Sequence, residues 1–319
     1  MDYHLLSNKL KESIVLATTL SELLLNNQRN LATSPSEIDL LRVTLYRRTI
    51  LISEAISKLL PVSETEYFSL ASIGSLTRVL VESYRPFYYL TIENIKEEER
   101  DFRYLLFEVY LLIERRSMIE AIRNDNNYPD RQTDLVEKKK KIRNHTYYKF
   151  LSTKNSQHIY GTLVQSIENT QKNGNKEFSQ SFMDRLAKCK GCFKNDQTIL
   201  LERLATYVSE PFSDQEKKIG NRFDKFFNKL MSNYVHSGAF AISMEHGSNF
   251  QLNEEVENYL NQMVSCCIFY LITATLDLLE LCQLSQNNDL IQECEKAKDG
   301  AFVFLDILIG RCTSAETNP

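Results

Sequence analysis

Residues 63–90 read SETEYFSLASIGSLTRVLVESYRPFYYL. Leu70, Ile73, Leu76, Val79, Leu80, Val81, Tyr84 and Phe87 recur at helical spacing, with none of the strict alternation of a half-buried strand. They leave no wide polar face, and a helix that is apolar nearly all round belongs near the centre of its fold. Ser63-Glu64-Thr65-Glu66 at its start has the form of a capping box. The stretch therefore predicts a central helix over 64–93.

Similar punctuation recurs on both sides. Ser34-Pro35-Ser36-Glu37 offers an N-cap serine, a proline at the first helical position and a glutamate at the third. Ser213-Asp214-Gln215-Glu216 repeats the box, followed by Phe223, Phe226, Phe227, Leu230 and Tyr234. A further helix opens at Asn253 and carries Val256, Leu260, Met263, Cys267 and Leu271 on one stripe. Helices are expected near 3–27, 35–60, 64–93, 97–125, 130–170, 196–209, 214–236, 254–283 and 288–310. Nine Gly and six Pro in 319 residues, where ordinary usage is roughly 12% for the two together, leave few residues for the tight turns that hairpins need. The expected fold is all-α, a multi-helix bundle of about nine helices, and no repeat of solenoid length is present.

The chain is expected to divide into an N-terminal helical half, 1–170, and a C-terminal half, 196–319, packed as one integrated domain. Between them, 171–195 reads as a polar excursion carrying Cys189-Lys190-Gly191-Cys192.

The bulk numbers narrow the function classes. A net charge of −4 gives no global attraction to nucleic acid, though a local patch remains open. Met1-Asp2-Tyr3-His4 has neither the basic nor the apolar region of a signal peptide. The longest uncharged apolar run, Met263 to Leu276, is closed by Asp277 and falls short of the ~20 residues of a bilayer span. A cytoplasmic protein with no membrane partner is expected, its seven scattered cysteines reduced.

Four features could carry chemistry. Arg78 and Glu82 lie four residues apart in the middle of the apolar helix, on one side of it. Buried charges must be paired, so they form either a salt bridge fixing helix register or the floor of a polar pocket. At the end of the Phe-rich helix, Asn228, Ser232 and His236 recur every four residues. There His236 could cap the last carbonyls, or be held charged by the helix dipole as an acid or phosphate contact. Lys138, Lys139, Lys140, Lys141 and Arg143, with His145, Tyr147 and Tyr148 close by, form either a solvated face or a grip for phosphates and bases. Cys189 and Cys192 supply half of a zinc site, which His158 and Cys282 could complete, or are plain thiols. No Gly-rich phosphate loop, nucleophile elbow or HExxH occurs, and the acids Glu97-Glu98-Glu99 suit a helix start without any metal. Neither cofactor nor metal is expected.

Leu76-Thr77-Arg78-Val79-Leu80-Val81-Glu82, then Tyr88-Tyr89-Leu90, and the later Leu230-Met231-Ser232-Asn233-Tyr234-Val235-His236 resemble the two signatures of a bacterial helical family. In it an Arg-x-x-x-Glu helix precedes a Ser-x-x-x-His helix end. The resemblance extends to the HEPN superfamily, which includes RNase toxins and abortive-infection proteins. It implies an HEPN-like core and a defence or toxin role. RNA would be bound or cleaved, or a nucleotide bound, at a pocket of Arg78, Glu82, Ser232 and His236. In an enzymatic version, a metal-independent RNase, His236 would be the general acid/base, Arg78 would stabilise phosphate charge and Glu82 would orient Arg78. The chain departs from the HEPN RNase motif, an arginine followed after four to six residues by histidine: only Lys229 stands at such a spacing before His236. Against this stands a non-catalytic interaction or regulatory protein, with a protein partner or a homodimer, in which the same four residues are a structural lock.

Overall fold

The computed structural model describes residues 3–30, 36–63, 66–123, 132–153, 159–161, 163, 165, 180–206, 252–281 and 292. Among them lie nine α-helices and no strand: α1 Tyr3–Asn30, α2 Glu37–Leu59, α3 Leu70–Phe87, α4 Glu97–Arg123, α5 Gln132–Asn144, α6 Thr146–Thr153, α7 Gln180–Lys188, α8 Asp196–Leu204 and α9 Glu254–Leu281. A single π-helical turn, Tyr88–Ile92, follows α3. The all-α expectation holds. The helix expected at 214–236 lies outside the described residues, as does all of 288–310 except residue 292.

Several boundaries move for identifiable reasons. The box at Ser63 does not start α3. Ser63 instead closes a turn, with the Glu66 amide donating to its carbonyl at 3.2 Å and the Val62 amide donating to the Glu66 carboxylate at 2.6 Å. The helix waits for Ser69, whose hydroxyl accepts the Ser72 amide at 3.2 Å. Likewise α2 is capped by Ser36, not Ser34, in a reciprocal box with Asp39. Asn253 does cap α9, accepting the Val256 amide at 3.0 Å. Pro86 sits inside α3 and lacks the amide that would bond one turn back; the ladder widens into the π turn just beyond it. The helix expected over 130–170 breaks at His145, whose imidazole Nδ1 accepts the Tyr147 amide at 3.2 Å and so caps α6.

The chain forms two compact units, Met1–Tyr88 with Asp196–Pro319, and Tyr89–Asn195. The expected halves, 1–170 and 196–319, are divided at other points. In the first unit α9 is the core helix: every residue from Met263 to Thr275 is buried. It is long and apolar enough to cross a membrane by length and composition alone, and 83% of its most apolar stretch is buried within the protein. Helices α1, α2 and α3 pack against it and α8 against α3. Buried tyrosines tie these layers together. Tyr3 donates to the Pro61 carbonyl at 3.1 Å. The Tyr46 hydroxyl lies 3.2 Å from the Ala17 carbonyl and 2.9 Å from the Thr275 hydroxyl.

In the second unit, α5, α6 and α7 pack on the first half of α4 around Phe102, Leu106, Val109, Ile142, Leu151 and Phe182. The part of the expected polar excursion that is described, 180–195, belongs to this core: Phe182 and Leu186 of α7 are fully buried. Residues 171–179 lie outside the described residues.

Candidate functional site

Arg78 and Glu82 are positioned by the amphipathicity of α3. The buried face carries Leu70, Ile73, Thr77, Leu80, Val81, Tyr84 and Phe87, while Leu76, Arg78, Val79 and Glu82 are only half-buried. The helix expected to be enclosed on all sides therefore has an open flank. Arg78 Nε donates to Glu82 Oε1 at 3.1 Å, with the two side chains 27% and 31% exposed. A pair this open adds a few tenths of a kcal/mol. Among the described residues, Glu82 is the sole partner of the Arg78 guanidinium, and only its Nε is engaged. Nη1 and Nη2 make no hydrogen bond among the described residues, and a guanidinium edge of this kind can bind two oxygens of a phosphate. Ser232 and His236 lie outside the described residues, so the four-residue pocket is not assembled among those described.

The basic run is less uniform than its sequence. Lys138 is engaged by Glu108 of α4, Ile142 points into the core and Lys139 and Arg143 are half-buried. Lys140 and Lys141 are exposed. His145 carries a pKa below the ordinary imidazole value because burial disfavours its charge, against the pull of Asp101 and Glu98.

Cys189 and Cys192 are free thiols, the second buried, in the turn that ends α7. The Gly191 amide donates to the Leu186 carbonyl at 3.0 Å and the Lys190 amide to Ala187 at 3.1 Å. This is the paired bonding of a Schellman cap, with Lys190 and Gly191 at φ 53° and 71°. Of the residues expected to complete a zinc site, His158 and Cys282 lie outside the described residues. Among the described residues no group of three His, Cys, Asp or Glu is arranged to hold a metal ion.

Two polar constellations escaped the sequence. In the second unit, Arg103 is fully buried, 2% exposed. Its Nη1 donates to Glu93 at 2.6 Å and to the Tyr89 carbonyl at 2.9 Å, Nη2 to Glu99 at 2.8 Å, and Nε to the Tyr160 hydroxyl at 2.6 Å. Tyr147 and Tyr160 donate to Glu99 at 2.6 and 3.1 Å, and Lys194 closes the network on Glu93. Burial opposes the charge of Glu99, yet the hydroxyl of Tyr147 and the Arg103 guanidinium hold its pKa below the usual carboxylate range. Two cations balance two carboxylates, so the cluster is neutral and largely saturated, the condition for burying charge at all.

In the first unit, Asp277 of α9 is buried and accepts from Tyr84 of α3 at 2.8 Å and from Arg203 of α8. The Arg203 guanidinium stacks on the Tyr88 ring at 5.5 Å. Burial pushes the Asp277 carboxyl up to about 6, against the opposing pull of Arg203 and Tyr84. The signal for both clusters was present: a charge flanked by apolar neighbours, as Arg103 is by Phe102 and Leu105 and Asp277 by Leu278 and Leu279, needs a partner in the fold.

No family model, no curated protein and no solved structure matches this chain.

Proposed function

We propose that the protein binds the phosphate backbone of RNA on the open flank of α3, with Arg78 as the anion-binding residue and Glu82 as the residue that orients it. One observation carries this reading. Glu82 holds Arg78 through Nε alone at 3.1 Å, on a half-exposed surface, which leaves the two Nη groups for bidentate binding of an anion. An arginine in this state has less rotamer freedom to lose when a phosphate arrives. In this proposal Ser232 and His236 complete the pocket. The HEPN-like resemblance supplies the expected target class and a defence or toxin setting. In the cleaving version, His236 is the general acid/base and Arg78 stabilises phosphate charge.

The test is fluorescence anisotropy with a short single-stranded RNA across a salt series, with ATP as competitor. Arg78→Ala should weaken binding for all sequences alike and flatten the logarithmic salt slope by about 0.7, the loss of one phosphate contact on a single strand. Arg78→Lys should keep the slope but lose affinity, because an ammonium keeps the charge without the fork. Displacement by ATP at low concentration would redirect the reading to a nucleotide. Wild-type affinity and slope in both variants would sink it.

A further inference from the structure

Helix α4 outlasts its own core. Its first half buries Phe102, Arg103, Leu105, Leu106 and Val109, but from Tyr110 to Ile119 no residue is buried. The chain is nevertheless apolar there, reading YLLIERRSMI. Leu111 is 48% exposed and Met118 62% exposed, which leaves two large apolar side chains in water about two helical turns apart.

Leu111, Glu114, Arg115 and Met118 stand at i, i+3, i+4 and i+7, which places them on a single face. Among the described residues, neither Glu114 nor Arg115 has an ion-pair partner. As sequence neighbours they do not face each other within the helix. The face has an internal symmetry: apolar, acidic, basic, apolar. A twofold axis crossing the helix between Glu114 and Arg115 brings Leu111 of one copy onto Met118 of the other. It also brings Glu114 of each copy onto Arg115 of the other. Every group on the face then meets a complement, and each contact is made twice, as an isologous interface requires.

We propose that this outer half of α4 is a self-association face, on which two copies of this chain pair antiparallel through Leu111, Glu114, Arg115 and Met118. The paired charges set the antiparallel register and the two apolar contacts supply most of the affinity. A patch of about two helical turns lies at the small end of specific interfaces, so the dimer is a weak one that grows in with concentration.

Charge reversal tests register and partner together. Sedimentation equilibrium of the full chain over a wide concentration range should show a monomer–dimer equilibrium. Glu114→Arg and Arg115→Glu, each alone, set like charges opposite one another twice and should weaken the dimer at least about tenfold. The double reversal rebuilds the same two pairs with signs exchanged and should restore the wild-type constant, a coupling that independent sites do not show. Leu111→Ser should weaken it as well. Far-UV circular dichroism checks that these exposed substitutions leave the helices intact. A monomer at every concentration overturns the proposal. So does a dimer indifferent to the single reversals, or a double variant as weak as the sum of its parts.

Discussion

The guanidinium carbon of Arg103 lies 4.0 Å from the centre of the Tyr89 ring, and Arg103 also donates to the carbonyl of that same residue at 2.9 Å. Tyr89 belongs to the π turn and Arg103 to α4, so one buried cation fixes both the ring and the backbone of the widened turn. Cation–π contact is worth most where water is excluded, and here both side chains are fully buried. The π turn persists because Arg103 uses the carbonyl that its geometry presents.

Arg103→Met should therefore destabilise the protein by about 3–5 kcal/mol, since it leaves the partly buried Glu93 and Glu99 with only Lys194 to balance them. Urea unfolding followed by circular dichroism measures it. Glu99 supplies a second readout. Its folded pKa is depressed below the ordinary 4.5, so its contribution is fully present above that value and is lost as pH falls through the folded one. The Arg103→Met variant should lose less stability than the wild type on acidification. Equal acid limbs, or a loss within 1 kcal/mol, would contradict the role assigned to Arg103.

Gly191→Ala probes the turn that ends α7. Gly191 has φ 71°, and an added Cβ would meet the Phe107 Cα at 3.1 Å, on the backbone of α4. Backbone cannot swing aside as a flexible side chain does, and the left-handed conformation adds its own strain. A loss of about 1–3 kcal/mol is expected. Cys189→Ser, at a half-buried thiol in the same turn, should cost much less. Equal losses in urea titrations would place the constraint in the thiols instead.

What the sequence revealed divides by distance along the chain. Helix existence was legible because caps and apolar period are local: Asn253 capping α9 is written in adjacent residues. Where local pattern misled, as at Ser63, the same residue types satisfied the backbone in another way, with Glu66 bonding back to Val62. Glu97-Glu98-Glu99 read as acids suited to a helix start, which holds for the local field but misses the role of Glu99. Its partner Arg103 stands one turn away in plain view, but Tyr147 and Tyr160 come from 48 and 61 residues further on. The Arg78–Glu82 spacing was legible in the same local way. The openness of their flank was not, because it depends on which neighbours α3 acquires.

Expression phenotype separates the proposed RNA-handling site from a passive surface. Induced wild-type protein should slow growth if the toxin-like reading holds, and Arg78→Ala should relieve it without loss of folding, because Arg78 is half-exposed. His236→Ala should relieve it as well if that residue completes the pocket. Growth curves, with soluble protein quantified in parallel, provide the measurement. Wild-type protein that leaves growth unaffected removes the toxin setting, whatever RNA binding shows.

Asp277 predicts an unusual dependence of stability on pH. Its folded pKa is raised, from 3.8 to about 6, because burial penalises the carboxylate more than Arg203 and Tyr84 favour it. The sign follows from linkage: the unfolded chain releases this proton first, so the contribution is present below pH 3.8 and lost as pH rises through about 6. The shift corresponds to about 3 kcal/mol. Asp277→Asn keeps an acceptor for Tyr84 and removes the titration. The variant should be less stable than the wild type near pH 4 and should gain on it steadily up to pH 7, as followed by urea midpoints at intermediate pH. Parallel curves would mean that Arg203 keeps Asp277 ionised throughout, and the buried pair would then be a permanent ion pair with no proton to exchange near neutrality.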